Sequence, residues 1–529
     1  MAFPLSLIIG IFLLVVVIKC VVVARSSRPA NFPPGPPPLP ILGNLHQLRA
    51  QKVYVKFTEL SKAYGSHGLM GLVLGAGQRV VVINSWKAAR DLLEERGAIY
   101  SSRPKLLPAE FVLPSGGDYH LALMPYGEKW RRERKTVMGF LREAEREKRR
   151  PIHDAESSQL MFELLQDPEN FYDHVMRYHG AIIMASVFGI RAKDYSSDSW
   201  LNRFFTMNIE WSSVLAPENS PPYDLFPFLK YVPEFITPWQ GWQDRAHSLG
   251  KRQQTLYQEL FETATEHLAQ GRSEDSFMAR LLRTQEKDGY SDTDVAYIGG
   301  LLLEGGSDTT AHAFITFILI LATHPEILRS AQEEVDGRYG NEMPTDTNAV
   351  DLPFLSACIL ETLRWRPGFT TAIPHLTTQD DIYQGLLIPA NTVILLNVWG
   401  MSHDEEEYEN PEICDPSRYL RHPQGLRYST DEKVDGLRRP VWAFGAGRRL
   451  CPGRDMAQES MLMTMAKLVW CFDMEGTSDL DTSISGFRDG IMTSPKPFKC
   501  KFHVRGDVRK QAIQREWEKA DSYLKQFED

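Results

Sequence analysis

Cysteine is scarce and scattered. Six thiols occupy 529 residues (Cys20, Cys358, Cys414, Cys451, Cys471 and Cys500) and none forms a CxxC pair, so neither a zinc site nor a disulfide framework is indicated. An excess of basic charge is also missing. The 59 Lys and Arg stand against 68 Asp and Glu, a net charge of −9, which argues against a general nucleic-acid binder. No internal repeat recurs along the chain. The remaining composition, 43% hydrophobic and 24% charged, is that of a folded body rather than a disordered one. Length alone suggests two to four domains, but large single-domain folds exist, and the chain can bury a core that encloses a sizeable ligand.

The N-terminus departs from this balance. Leu5 to Ala24 is apolar except for Ser6, Gly10, Lys19 and Cys20, and about 20 residues at about 1.5 Å each span about 30 Å of hydrocarbon. Residues 1–25 therefore read as a membrane anchor, with Lys19 close enough to the end of the span to snorkel. A cleaved signal peptide is the rival reading, but the extreme N-terminus has no basic n-region and no small-x-small site precedes Arg25. Arg25 and Arg28 keep the following chain cytosolic under the positive-inside rule. Residues 26–45 contain repeated prolines from Pro33 to Pro40, which forbid helix continuation and predict an extended spacer between anchor and body.

Within the body, Leu69 to Leu74 and Arg79 to Ile83 read as a hairpin around Gly75-Ala76-Gly77-Gln78. Helical spacing dominates up to about residue 375, and short β-like pieces follow from Thr377 to Asn397. Residues 506–529 form a charged, helical extension to which the sequence assigns no function.

Chemistry concentrates in Phe444-Gly445-Ala446-Gly447-Arg448-Arg449-Leu450-Cys451-Pro452-Gly453. Asp455 to Met463 reads as a helix, so Cys451 lies at its start, where the dipole and free N–H groups favour a thiolate. Gly447 and Gly453 suit a chain that turns sharply against a flat cofactor, and Arg449 can offer a guanidinium to a cofactor carboxylate. A lone cysteine is usually a buried free thiol; the ten-residue pattern reverses that reading.

Phe444, Gly447, Arg449, Cys451 and Gly453 match the haem-binding signature of the cytochrome P-450 family, and further motifs of that family follow in order from about residue 30 to about residue 505. The resemblance implies a mainly α fold with small β-sheets, residues 46–505 forming the catalytic domain, and haem b held by Cys451 as axial iron ligand. In Leu301 to Ala311 two adjacent glycines interrupt an apolar helical run. By resemblance this is the oxygen-binding groove, with Gly305 against the haem, Thr309 hydrogen-bonded to the activated oxygen and Asp308 gating protons. Glu304, one position away, is expected to contact a neighbouring helix rather than anchor a basic nitrogen. Glu361 and Arg364 share a helix face at i and i+3 and resemble the family's structural Glu-x-x-Arg pair, completed by Arg418. Trp130, Arg134 and His375 match positions that bind haem propionates. The pocket implied runs from Leu106 to Leu123 and Phe204 to Val214, with Leu301, Leu302, Thr370, Thr371, Ala372 and Ile373. Arg131, Arg132, Lys135, Arg438, Arg439 and Arg448 would gather on the cysteine side of the haem as a surface for an acidic redox partner.

The resemblance further implies a monooxygenase of the endoplasmic reticulum membrane, single-pass, with its catalytic domain cytosolic. Electrons from NADPH would arrive through a separate NADPH-cytochrome P-450 reductase, with cytochrome b5 as an additional donor. The sequence looks most similar to fungal microsomal members, which points to a hydrophobic substrate in secondary metabolism (a polyketide, terpenoid or alkaloid). Xenobiotic or fatty-acid hydroxylation is the alternative. A haem-thiolate isomerase or dehydratase, or a non-catalytic haem protein, would not need Asp308, Thr309 and the basic surface together.

Overall fold

The computed structural model describes residues 28–48, 51–75, 77–142, 146–216, 218–345, 351–427, 437–478 and 480–528; the anchor expected over residues 1–25 lies outside them. The principal helices are α1 (Val53–Tyr64), α2 (Glu128–Leu141), α3 (Arg146–Gln166), α4 (Phe171–Ile183), α5 (Trp200–Leu215) and α6 (Trp242–Ala269). They continue with α7 (Phe277–Asp288), α8 (Asp292–Thr323), α9 (Pro325–Tyr339), α10 (Pro353–Trp365), α11 (Arg454–Cys471) and α12 (Asp507–Leu524). A four-stranded sheet has the order β1 (Leu69–Leu74), β2 (Gln78–Ile83), β6 (Val393–Leu396), β3 (His375–Leu376). β1 pairs antiparallel with β2 (Leu69 opposite Ile83), β2 parallel with β6 (Val80 opposite Val393), and β3 antiparallel with β6. Three two-stranded ribbons complete the strands: β4 (Asp381–Tyr383) with β5 (Leu386–Ile388), β7 (Phe472–Gly476) with β10 (Cys500–Val504), and β8 (Phe487–Arg488) with β9 (Ser494–Pro495).

α8 is the axis of the molecule. Ser291 opens it with a capping box: its hydroxyl accepts the Asp294 N–H at 3.1 Å while the Asp294 carboxylate accepts the Ser291 N–H at 2.9 Å. The helix runs on without a break through Gly305 and Gly306, although each glycine costs about 1 kcal/mol relative to Ala. Burial offsets that cost, since Phe314, Ile315, Phe317 and Ile318 are all fully buried. Among the described residues α8 is the one helix long and apolar enough to cross a membrane, and its place at the centre of the core accounts for that composition.

Two segments are more tightly integrated than expected. The proline-rich stretch is docked on β1 rather than held away from the body. Arg28 donates to the carbonyls of Gly35 (2.7 Å), Pro36 (2.8 Å) and Gly71 (3.2 Å), the Gly71 N–H returns a bond to Pro34 at 2.8 Å, and Phe32 is buried. The C-terminal extension is α12, packed along α3. Trp517 stacks on Phe162 at 5.3 Å, Ala520, Leu524 and Phe527 join Ile152, Ala155 and Ala185, and Asp521 pairs with Arg191 at 2.7 Å.

Candidate active site

The loop before α11 is shaped by two glycines in the left-handed region, Gly445 (φ 73°) and Gly447 (φ 62°). A Cβ on Gly447 would stand 1.8 Å from the Leu93 carbonyl oxygen, so this position accepts no side chain. Gly453 has φ −89°, an ordinary conformation. The turn is closed by the Cys451 N–H on the Phe444 carbonyl at 2.9 Å and the Gly445 N–H on Trp442 at 2.9 Å. α11 begins three residues after Cys451, at Arg454. Burial pushes the Cys451 thiol pKa up, against the Gly453 N–H bonded to its sulfur and the charges of Arg134 and Arg454. The helix start alone therefore does not make the thiolate, but a metal ion at the sulfur would displace the proton outright.

Beside this loop lies a largely buried cluster of three arginines and one histidine with no anion among the described residues. Arg449 gives Nε to the Ser101 carbonyl (2.8 Å), Nη1 to Leu121 (3.0 Å) and Nη2 to Met124 (2.7 Å), with its guanidinium 4.3 Å from the Trp130 ring centroid. Arg134 bonds the Leu450 carbonyl. His375, buried in β3, bonds the Tyr100 carbonyl at 2.8 Å through Nδ1. Sequence reasoning missed the fourth member, Arg103, which bonds the carbonyls of Ala122 (2.9 Å), Ile373 (2.7 Å) and Pro374 (2.8 Å). Burial first, then the other arginines, drives Arg103 and His375 well below their usual pKa and Arg449 down to about 9. An arginine stays charged in such a place, so the depressions of Arg103 and Arg449 express the strain of uncompensated positive charge, whereas His375 is held neutral. Among the described residues no carboxylate offsets the cluster, and a ligand carrying carboxylates fits the donor set. Only the Ser101-Ser102-Arg103-Pro104 loop marks Arg103 in the sequence, and that has no periodicity to read.

α8 carries further expected site residues. Gly305 is exposed in the middle of a core helix, and no other group lies within 4 Å of where its Cβ would stand, so a flat group can approach the backbone there. Thr309 lies one turn on and donates its hydroxyl to the Gly305 carbonyl at 2.8 Å. Asp308 faces aside: Oδ2 accepts from Asn208 Nδ2 of α5 at 3.2 Å, and Oδ1 lies 3.0 Å from His312 Nδ1. Glu304 accepts from Trp211 Nε1 of α5 at 2.9 Å and meets His120 Nε2 at 3.2 Å, so it ties helix and loop together as expected instead of anchoring a base. Leu301 and Leu302 are half-buried beside Gly305. Thr371, Ala372 and Ile373 also keep open surface, whereas Thr370 is buried with its carbonyl taken by the Trp399 N–H at 3.1 Å. Phe204, Phe205 and Trp211 of α5 are all buried in the main core, and Asn208 and Trp211 are the α5 residues that bond Asp308 and Glu304.

The expected structural triad is fully formed. Glu361 receives Arg364 Nε and Nη2 at 2.8 Å each, Arg418 Nε at 3.1 Å and the Asp415 N–H at 2.8 Å, and all three charged side chains are buried. Although burial acts to lower it, Arg364 is held above its usual pKa by the Glu361 bonds. The expected basic surface is smaller than its six residues. Arg438 pairs with Glu407 and Arg439 with Glu94 at 2.6 Å, which leaves exposed Arg131, Arg132, Lys135 and Arg448.

A profile described as cytochrome P-450 matches residues 33–502 of the chain. A cytochrome P-450 monooxygenase of Arthrobotrys oligospora is 36% identical over 99% of this chain and 98% of its own. The cytochrome P-450 monooxygenases macC of Penicillium terrestre (36% identical, 93% of each chain) and patH of Penicillium expansum (33% identical, 96% and 97%) are similarly alike.

Proposed function

The chain belongs to the cytochrome P-450 family and is a monooxygenase of that family, and from this premise we propose that it uses NADPH electrons, delivered by a separate reductase, to oxidise a hydrophobic small molecule of fungal secondary metabolism. The observation that carries the reading is the cluster of Arg103, Arg134, Arg449 and His375, which has no anion of its own among the described residues and stands beside Cys451. The Cys451 sulfur would ligate the iron of haem b, with Arg103, Arg134, Arg449, Trp130 and His375 around its propionates. When bound, a haem held by the Cys451 sulfur would supply oxygen activation rather than simple oxygen carriage. The chain's own contribution is to bind, orient and exclude water. Leu301, Leu302 and Ile373 present apolar surface to the substrate, Trp211 and Glu304 hold α5 across the site, and Thr309 with Asp308 manages protons.

Surface features support the remaining roles. Arg131, Arg132, Lys135 and Arg448 offer an acidic reductase or cytochrome b5 a basic face. Leu39, Ile41 and Leu42 are exposed, as are Phe228, Tyr231, Phe235 and Ile236 in the segment between α5 and α6. The β1–β2 turn stands near both segments: the Gly75 N–H bonds the Leu42 carbonyl at 3.2 Å and the Cβ position of Gly75 faces Leu225. Exposed apolar side chains on these segments support an enzyme seated on the endoplasmic reticulum membrane beside an anchor at residues 1–25. The test is the reduced, carbon monoxide-bound difference spectrum of purified protein. A thiolate-type Soret band lost in Cys451→Ser, with substrate-stimulated NADPH consumption by a microsomal reductase, is the expected result; a haem-loaded protein without that band overturns the assignment of Cys451.

A further inference from the structure

One titratable residue stands on the Gly305 side of α8 without bonding Cys451 or the arginine cluster. His312 lies seven residues after Gly305, within about 20° of it around the helix and about 10 Å along it. Its Nδ1 is 3.0 Å from Asp308 Oδ1 and 2.9 Å from the Asp308 carbonyl, which commits the Nδ1–H to Asp308. Its Nε2 bonds no group of the protein among the described residues, and the side chain keeps 18% of its surface open, beside 17% for Asp308. Three charged or titratable groups act on it: Asp308 on its own helix, Arg488 of the β8–β9 ribbon, and His179 of α4. Asn208 Nδ2, reaching from α5, holds the far oxygen of the same carboxylate. Burial and Arg488 oppose charge on the imidazole, yet the Asp308 bonds win and hold His312 above its ordinary pKa.

We propose that His312 and Asp308 form one proton-loading unit, with His312 the relay residue between solvent and the acid beside Thr309. A proton from water enters at Nε2, and the Nδ1–H proton leaves to Asp308 Oδ1. This step leaves a neutral imidazole protonated at Nε2 and a neutral carboxyl. The carboxyl releases its proton toward Thr309, and the imidazole returns to its first tautomer when its ring turns about χ2 to bring Nδ1 to water, where it takes up a proton as Nε2 gives one up. The proposal rests on the monooxygenase reading.

Two measurements test it. In the diamagnetic, carbon monoxide-bound holoenzyme, the His312 C2–H resonance, assigned by its loss in His312→Asn, is expected to titrate above pH 6.5 and to fall in Asp308→Asn. With reductase and NADPH, hydrogen peroxide released per NADPH is expected to rise about threefold or more in His312→Leu, and to rise in wild type as pH climbs through the imidazole titration. His312→Asn keeps an N–H near the Nδ1 position but cannot carry a proton, so it should match His312→Leu. Wild-type peroxide release in His312→Asn would reduce His312 to a structural hydrogen bond and overturn the relay, as would unchanged release in both variants at normal NADPH use. A resonance titrating at or below pH 6.5 would overturn the pair. No NADPH consumption by wild type would instead overturn the monooxygenase reading, and the relay with it.

Discussion

Gly447 is the residue where backbone and site are most tightly bound together. Its left-handed φ and the 1.8 Å approach of a Cβ to the Leu93 carbonyl predict that Gly447→Ala loses about 2 kcal/mol or more of stability, seen as a lowered Tm and a reduced haem-to-protein ratio. Arg103 gives a prediction whose sign depends on the cofactor. In haem-free protein Arg103→Met removes a buried charge that Arg449 and Arg134 repel, so stability against denaturant should hold or rise. In haem-loaded protein the same change should speed haem transfer to apomyoglobin about tenfold, equal to about 1.4 kcal/mol. Slower or unchanged haem loss would remove Arg103 from the propionate set. Cys451, Arg449 and the Glu361 triad were legible in the sequence because fixed spacing encodes a loop or one helix face. Arg103 was not, and although His120 and Asn208 fall within the expected pocket stretches their partners were not legible either, because each is brought close only by the folded chain.

α12 shows the same limit at the level of whole elements. Its helix was readable from its charge pattern, but its docking depends on Phe162 and Ile152 in α3, and nothing local announces that contact. Trp517→Ala should cost about 1–3 kcal/mol through the lost stack on Phe162 and the lost cover over Arg191, while Val508→Ala, at a position 57% exposed, should change the denaturation midpoint little. The docking of the proline-rich stretch on the body was hidden for the same reason: Arg28 finds its carbonyl acceptors partly on β1, 43 residues away. α8 was the opposite case. Its apolar run and its paired glycines are local, and sequence and structure agree on the helix there.

Over the whole molecule, buried titratable groups set opposing pH limits. His153 and His179 are pushed down to about 3, first by burial. The unfolded chain takes up their protons from about pH 6.5 downward and the folded chain does not, so stability falls as pH drops from 6.5 toward 3. Glu133 is pushed up to about 7, again chiefly by burial. The folded state there holds a proton that the unfolded state has released, so stability falls as pH rises from about 4.5 to 7. Glu133→Gln is expected to raise the denaturation midpoint at pH 8 and leave it unchanged at pH 5; equal effects at both would sink the assignment. The packing of α12 on α3 also has a consequence in time. The two helices are separated by about 340 residues, a stretch that a ribosome takes roughly 20 to 70 s to synthesise at about 5–20 residues per second. Throughout that interval Phe162, Ile152 and Ala155 lack their final cover, so the nascent chain carries an adhesive surface that chaperones must shield until its last segment emerges.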